Sequence, residues 1–173
     1  QLRKQIGIVP QQSILFKGTI RDNMKWENPD LSDEDIITAL KNAQAYEFVS
    51  KLPMGLDSHV EQGGKNFSGG QRQRLCIARA IAAQPKVLIL DDSFSALDFA
   101  TDAALRKALS QYTHEMTVII VTQRCSTIMN SDLILVLDDG MLVGKGTHKE
   151  LLKNCETYKE ICLSQLSKSE VEV

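Results

Sequence analysis

The sequence predicts an α/β fold built on a mainly parallel sheet, and three observations carry that prediction. Short apolar runs rich in Val, Ile and Leu occur at Val87–Leu90, Val118–Val121 and Leu133–Leu137, each of the length of a buried strand. Helical stretches separate them, which is the arrangement of parallel strands with covering helices. The first of these runs ends on two carboxylates, Asp91 and Asp92, and the carboxyl ends of parallel strands are where ligands collect.

In chain order, Ile6-Gly7-Ile8-Val9 opens as a strand. No strand pattern follows between Thr19 and Lys51. There Ser32-Asp33-Glu34-Asp35 reads as an N-cap with acids in the first turn, leading into the apolar positions Ile36, Ile37 and Leu40, so a helical insert is expected. Glycines cluster at Gly63-Gly64 and Gly69-Gly70, and from Gln71 to Gln84 the pattern is helical, ending before Pro85. After Asp98 a second long helix is expected to about Tyr112, then strands near Thr117–Val121 and Leu133–Leu137. Asp138-Asp139-Gly140 predicts a hairpin turn into Met141–Val143, and Thr147-His148-Lys149-Glu150 has capping-box spacing for the first of two C-terminal helices. The last residues read as a loose tail.

The 173 residues suffice for one domain with its own core, without a second complete one. A net charge of -2, from 20 basic and 22 acidic residues, supplies no general attraction to nucleic acid or anionic lipid. Cys76, Cys125, Cys155 and Cys162 are scattered without a CxxC pair, so neither a zinc site nor a disulfide framework is expected, and a reduced, cytosolic compartment fits. No apolar run approaches the roughly 18 to 20 residues that span a bilayer. The chain opens on Gln1-Leu2-Arg3-Lys4 directly before a strand, and reads as entered partway.

Ser68-Gly69-Gly70-Gln71 stands immediately before the helical run, so the first backbone N–H groups of that helix face a glycine-lined approach suited to an anion. The Ser68 hydroxyl can cap the helix or donate to a phosphate oxygen. Taken alone, the same residues describe a Ser-capped helix after a glycine turn. The continuation through Gln71-Arg72-Gln73-Arg74-Leu75 and Ala78-Arg79-Ala80 makes the whole run similar to the signature motif of ABC transporter ATPase domains, with Phe67 where many members have Leu. Val9-Pro10-Gln11-Gln12, with Leu15-Phe16 and Thr19-Ile20, resembles the family's Q-loop. The strand ending in Asp91 matches its magnesium-binding strand, and Ser95-Ala96-Leu97-Asp98 resembles its D-loop.

The resemblance covers nearly the whole chain, in the family's motif order. It implies a partial P-loop NTPase-like fold of the α/β class, with the Q-loop and a helical subdomain over about 11–84. The core sheet, with magnesium aspartate, D-loop and switch, would occupy about 85–146, and C-terminal helices about 147–173. ATP and Mg²⁺ are the implied cofactors, with no other metal. Asp91 and Gln11 match the magnesium-facing residues, Asp92 and Gln123 the catalytic positions, and Ser68, Gly69, Gly70, Gln71 and Asp98 the nucleotide and pairing contacts. In the family each ATP lies between the phosphate-binding loop of one domain and the signature of another. The implied partners are therefore a second ABC ATPase domain, on a different subunit, and a transmembrane domain reached through the Q-loop region, at the cytoplasmic face of a membrane.

Three departures qualify the match. The phosphate-binding loop GxxxxGK(S/T) and the adenine-stacking aromatic are expected upstream of Gln11, beyond the start of this sequence; Gly140–Gly146 mimics the loop with the wrong spacing and is expected to be a hairpin. Where members usually carry a catalytic Glu this chain has Asp92, one methylene shorter, and a misplacement of roughly an ångström costs about 100-fold in rate. Where members usually place a switch His, Thr122-Gln123-Arg124 stands, and Gln123 can donate a hydrogen bond but carries no proton or charge at neutral pH. The expectation is one half of a heterodimeric exporter, with its own ATP site weakened and its signature completing the partner's. Two other readings stay open: a soluble ABC ATPase of translation or DNA repair, and a non-catalytic interaction module.

Overall fold

The computed structural model describes residues 2–113 and 115–166; the expected C-terminal tail lies outside the described residues. The chain divides into two compact units, residues 1–121 and 122–173.

The first unit is organised on a parallel sheet in which β1 (Ile6–Val9) and β5 (Thr117–Val121) flank β4 (Val87–Asp91). The register aligns Ile8 with Ile89 and Ile89 with Ile119. Alternate residues therefore form two faces. Val9, Leu88 and Leu90, with the half-buried Val118 and Ile120, join one core with Leu75, Ile77 and Ile81 of α4 (Gly69–Ala82) and Leu105 and Leu109 of α5 (Phe99–Tyr112). A side chain at Gly7 would be crowded: an added Cβ would lie 3.0 Å from Pro85 and 3.2 Å from the Ala80 carbonyl. The other face carries the exposed Ile8, Ile119 and Val121. This corrects the expectation of strands buried by covering helices. Period-two alternation lets one set of residues face the helices while its neighbours face away.

Three short helices, α1 (Ile20–Met24), α2 (Asp33–Asn42) and α3 (Tyr46–Ser50), form the insert. At and beyond the ends of the Thr19–Lys51 stretch, β2 (Gly18–Thr19) pairs antiparallel with β3 (His59–Val60), and two residues are too few to show a strand period in sequence. Ser32 caps α2 as its sequence predicts: its hydroxyl accepts the Asp35 N–H, and Asp35 accepts the Ser32 N–H in return. Ile36, Ala39 and Leu40, spaced by three and four, are its buried stripe.

The second unit consists of α6 (Cys125–Ile128), the antiparallel hairpin β6 (Ile134–Asp138) and β7 (Met141–Gly146), α7 (His148–Asn154) and α8 (Glu156–Gln165). Asp139 and Gly140, both at positive φ, make its two-residue turn, so the run Gly140–Gly146 is a hairpin as expected. The core is small: Ile134, Val136, Leu151, Cys155 and Tyr158 gather around Cys125 and Cys162. Those two cysteines form a disulfide, their Cα atoms 5.6 Å apart. The expectation of no disulfide is thus overturned. A separation of 37 residues leaves no local spacing signal, and the packing of α6 against α8 makes the pair.

Candidate functional site

Helix α4 begins with a capping box. The Ser68 hydroxyl accepts the Gln71 N–H at 3.2 Å, and the Gln71 side-chain oxygen accepts the Ser68 N–H at 3.0 Å. The amides of Gly69 and Gly70 lie in the first turn, where no intrahelical acceptor can reach them, and the positive end of a 14-residue helix reinforces them. Gly69 and Gly70 therefore offer donors to an anion without a side chain in the way. Gly70 has a second reason to be glycine. An added Cβ would sit 3.2 Å from the Ala96 carbonyl.

Gln73 strengthens that contact, and the sequence reading missed it. Its side-chain oxygen accepts the Ala96 N–H at 3.3 Å while the residue is almost wholly buried. A polar residue on the otherwise apolar buried face of α4 was the available signal. The start of α4 and residues 95–98 are thus held together within the chain.

At the carboxyl end of β4, Asp91 is exposed and Asp92 turns the backbone to positive φ, a conformation Asp tolerates better than most residues. The Asp92 N–H donates to the Val121 carbonyl at 2.8 Å, and its carbonyl accepts the Ser95 hydroxyl at 2.9 Å. Ser93 donates its hydroxyl to the Val9 carbonyl at 3.0 Å, which ties this turn to the end of β1, just before Gln11. Gln11 then approaches Asp92, its side-chain nitrogen 3.4 Å from a carboxylate oxygen, a long contact for an N–H donor. Gln11, Gly69, Ser95 and Ala96 also line one cleft of about 440 Å³, with Lys65 and Arg72 on its wall.

The remaining positions separate. Asp98 caps α5: its carboxylate accepts the Thr101 N–H at 3.0 Å and the Thr101 hydroxyl at 2.7 Å, which holds it below the usual carboxylate range. Gln123 belongs to the second unit, where its carbonyl accepts the Gln165 side-chain amide at 2.7 Å.

Beyond Gln11, two residues to which the sequence assigned no such contact, Asn23 and Arg79, fix the Leu15–Thr19 segment. The Asn23 side chain bonds the N–H and the carbonyl of Phe16 and the Thr19 carbonyl. The Arg79 guanidinium donates to the Ile14 carbonyl at 3.0 Å and lies 5.0 Å over the Phe16 ring, which stacks on Trp26 at 4.0 Å.

The donor set fits part of a magnesium–nucleotide site. Mg²⁺ takes one or two protein oxygens and fills its octahedron with phosphate and water, a demand Asp91 and Gln11 can meet. Among the described residues no group of three or more His, Cys, Asp or Glu could hold a metal unaided, so the phosphates would supply much of the coordination. Glycine-backed amides at a helix N-terminus, a strand-terminal carboxylate and a neighbouring amide side chain are the kinds of group that α/β folds present to phosphates.

The family profile described as ABC transporter matches residues 1–95, and the chain belongs to that family. It is 48% identical to the Bacillus subtilis ABC transporter ATP-binding protein YfiB over 96% of this chain, and 43% identical to heavy metal tolerance factor 1 of Caenorhabditis elegans, also over 96%. Its fold resembles the solved structure of a bacterial Atm1-family ABC exporter with ATP bound, with a TM-score of 0.90 and 36% identity over 96% of this chain. The chain spans 29% of the Bacillus protein, 21% of the nematode protein and 29% of the solved exporter chain. Among the described residues no helix is long and apolar enough to cross a membrane.

Proposed function

We propose that this chain is an ATP-binding and ATP-hydrolysing part of an ABC exporter, and that its signature serves a partner's nucleotide better than Asp92 and Gln123 serve its own. The observation that carries the reading is the start of α4. Its capping box leaves the Gly69 and Gly70 amides at an uncluttered helix end, which suits the γ-phosphate of an ATP bound to another domain. A transmembrane domain would dock on the Leu15–Thr19 segment, which Asn23 and Arg79 keep in one conformation. The whole assembly would sit at the cytoplasmic face of a membrane.

On the chain's own side, Asp91 and Gln11 would hold magnesium, which when bound neutralises phosphate charge and orients the leaving group. Asp92 supplies a carboxylate on a shorter arm than Glu, and the long Gln11 contact of 3.4 Å leaves it loosely held. Gln123 can donate to a phosphate oxygen but offers no positive charge. The substitutions Asp92→Glu and Gln123→His, made together in the full-length complex, are expected to raise steady-state ATP hydrolysis. An unchanged rate would count against a weakened site. The exporter relatives and the Leu15–Asn23 segment favour this reading over a soluble ATPase or a non-catalytic module.

A further inference from the structure

We propose that Cys125 and Cys162 are a redox modification site, a reversible disulfide that clamps the end of α8 onto residues 123–125 and so controls how freely Gln123 moves. Both cysteines are buried, at 1% and 0% exposure, and their Cα separation of 5.6 Å is that of native disulfides. Cys76 and Cys155 remain as free thiols.

The bond is not isolated. Gln165 follows Cys162 by three positions, on the same face of α8. Its side-chain nitrogen donates to the Gln123 carbonyl at 2.7 Å, and its side-chain oxygen accepts the Cys125 N–H at 2.9 Å. One covalent link and two hydrogen bonds thus tie one helix end to Gln123 and Cys125. Helix α6 is four residues long, a single turn, and single turns gain little from their own backbone bonding. The unit's core is also small, and units of this size commonly depend on a staple.

The chemistry balances with a low-molecular-weight disulfide as oxidant. One cysteine thiolate attacks it, forming a mixed disulfide and releasing one thiolate. The second cysteine thiolate attacks the mixed disulfide, forming the Cys125–Cys162 bond and releasing the other. Two protein thiols are oxidised, one external disulfide is reduced to two thiols, and both protons pass to those products. Excess external thiol runs the exchange backwards. In a reducing compartment, disulfides are generally transient or redox-sensing, so both states would be visited.

The consequence for ATP turnover rests on the proposed role of Gln123, whereas the clamp itself does not. The test therefore uses no nucleotide. The full-length polypeptide is equilibrated in glutathione buffers from reducing to oxidising, and disulfide-linked peptides and amide hydrogen exchange over 122–128 are read by mass spectrometry. The expected result is a linked Cys125–Cys162 peptide only in oxidising buffer, with exchange over 122–128 slowed about tenfold. A Cys125→Ala, Cys162→Ala double variant should exchange at one rate in every buffer. Absence of the linked peptide at every poise, or its presence with unchanged exchange in the wild type, would overturn the proposal. The wild-type arms decide the matter even if the double variant does not fold, and they leave the ATPase reading untouched.

Discussion

Gly69→Ala separates what a glycine does for folding from what it does for a ligand. Gly69 is the first residue of α4, in ordinary helical backbone, and an added Cβ would meet only the Ala96 Cβ at 3.8 Å and the Arg72 guanidinium at 4.0 Å. Those are normal van der Waals contacts. Replacing glycine by alanine at such a compatible position stabilises by about 0.4–1 kcal/mol, mainly by restricting the unfolded chain. For a protein of this length each kcal/mol moves the Tm by about 2–4 °C, so a rise of about 1–4 °C is expected by circular dichroism. The same methyl stands where a phosphate oxygen would approach the backbone. Losing one charge-assisted hydrogen bond of about 1.5–3 kcal/mol corresponds to about a ten- to hundredfold fall in ATPase rate of the full-length complex. A more stable protein with a crippled ATPase is the expected pair of results. Raised stability with unchanged ATPase would refute a phosphate-facing role, and lowered stability would refute the steric reading.

Two further predictions concern the second unit. Gly144 has no room for a side chain, since an added Cβ would lie 2.7 Å from the Cys155 sulfur and 3.0 Å from a Leu151 methyl. Gly144→Ala should cost about 1–3 kcal/mol by overpacking, seen as a lowered Tm, and an unchanged Tm would contradict the packing of α7 and Cys155 on β7. His148 is nearly buried against the Tyr158 hydroxyl at 2.8 Å, and burial first, then the charge of Lys149, hold its pKa below the ordinary value. The unfolded chain takes up this proton near pH 6.5 while the fold resists it, so the stabilising contribution is complete above about pH 6.5 and declines as pH falls below it. Urea midpoints at pH 7.5 and 5.5 should differ for the wild type and converge for His148→Gln; an equal difference in both would exclude His148 as the source.

Where a feature depends on neighbours in sequence, it was legible there. Ser32, Ser68 and Thr147 announce their helices because a capping box is complete within four residues, and Asp139-Gly140 announces its hairpin for the same reason. The strand Val87–Asp91 and its terminal carboxylate were equally plain. What stayed hidden depends on residues far apart. Gln73 reaches Ala96 across 23 positions, Arg79 reaches Ile14 across 65, and Cys125 meets Cys162 across 37. None of these pairs leaves a local pattern. Asp98 shows the opposite limit: a residue read as a pairing contact also has a local duty as the cap of α5.

The central claim is an asymmetry, with Ser68–Gln71 indispensable and Asp92 dispensable. It is tested by the steady-state ATPase rate of the full-length complex carrying either Ser68→Arg or Asp92→Asn. Ser68→Arg fills the helix end with a long side chain and should lower hydrolysis at least about 100-fold, because a blocked or displaced reacting group costs on that order. Asp92→Asn, by removing a carboxylate already poorly placed, should lower it by less than about twofold. A loss on Asp92→Asn as large as on Ser68→Arg, or full activity with Ser68→Arg, would contradict the account.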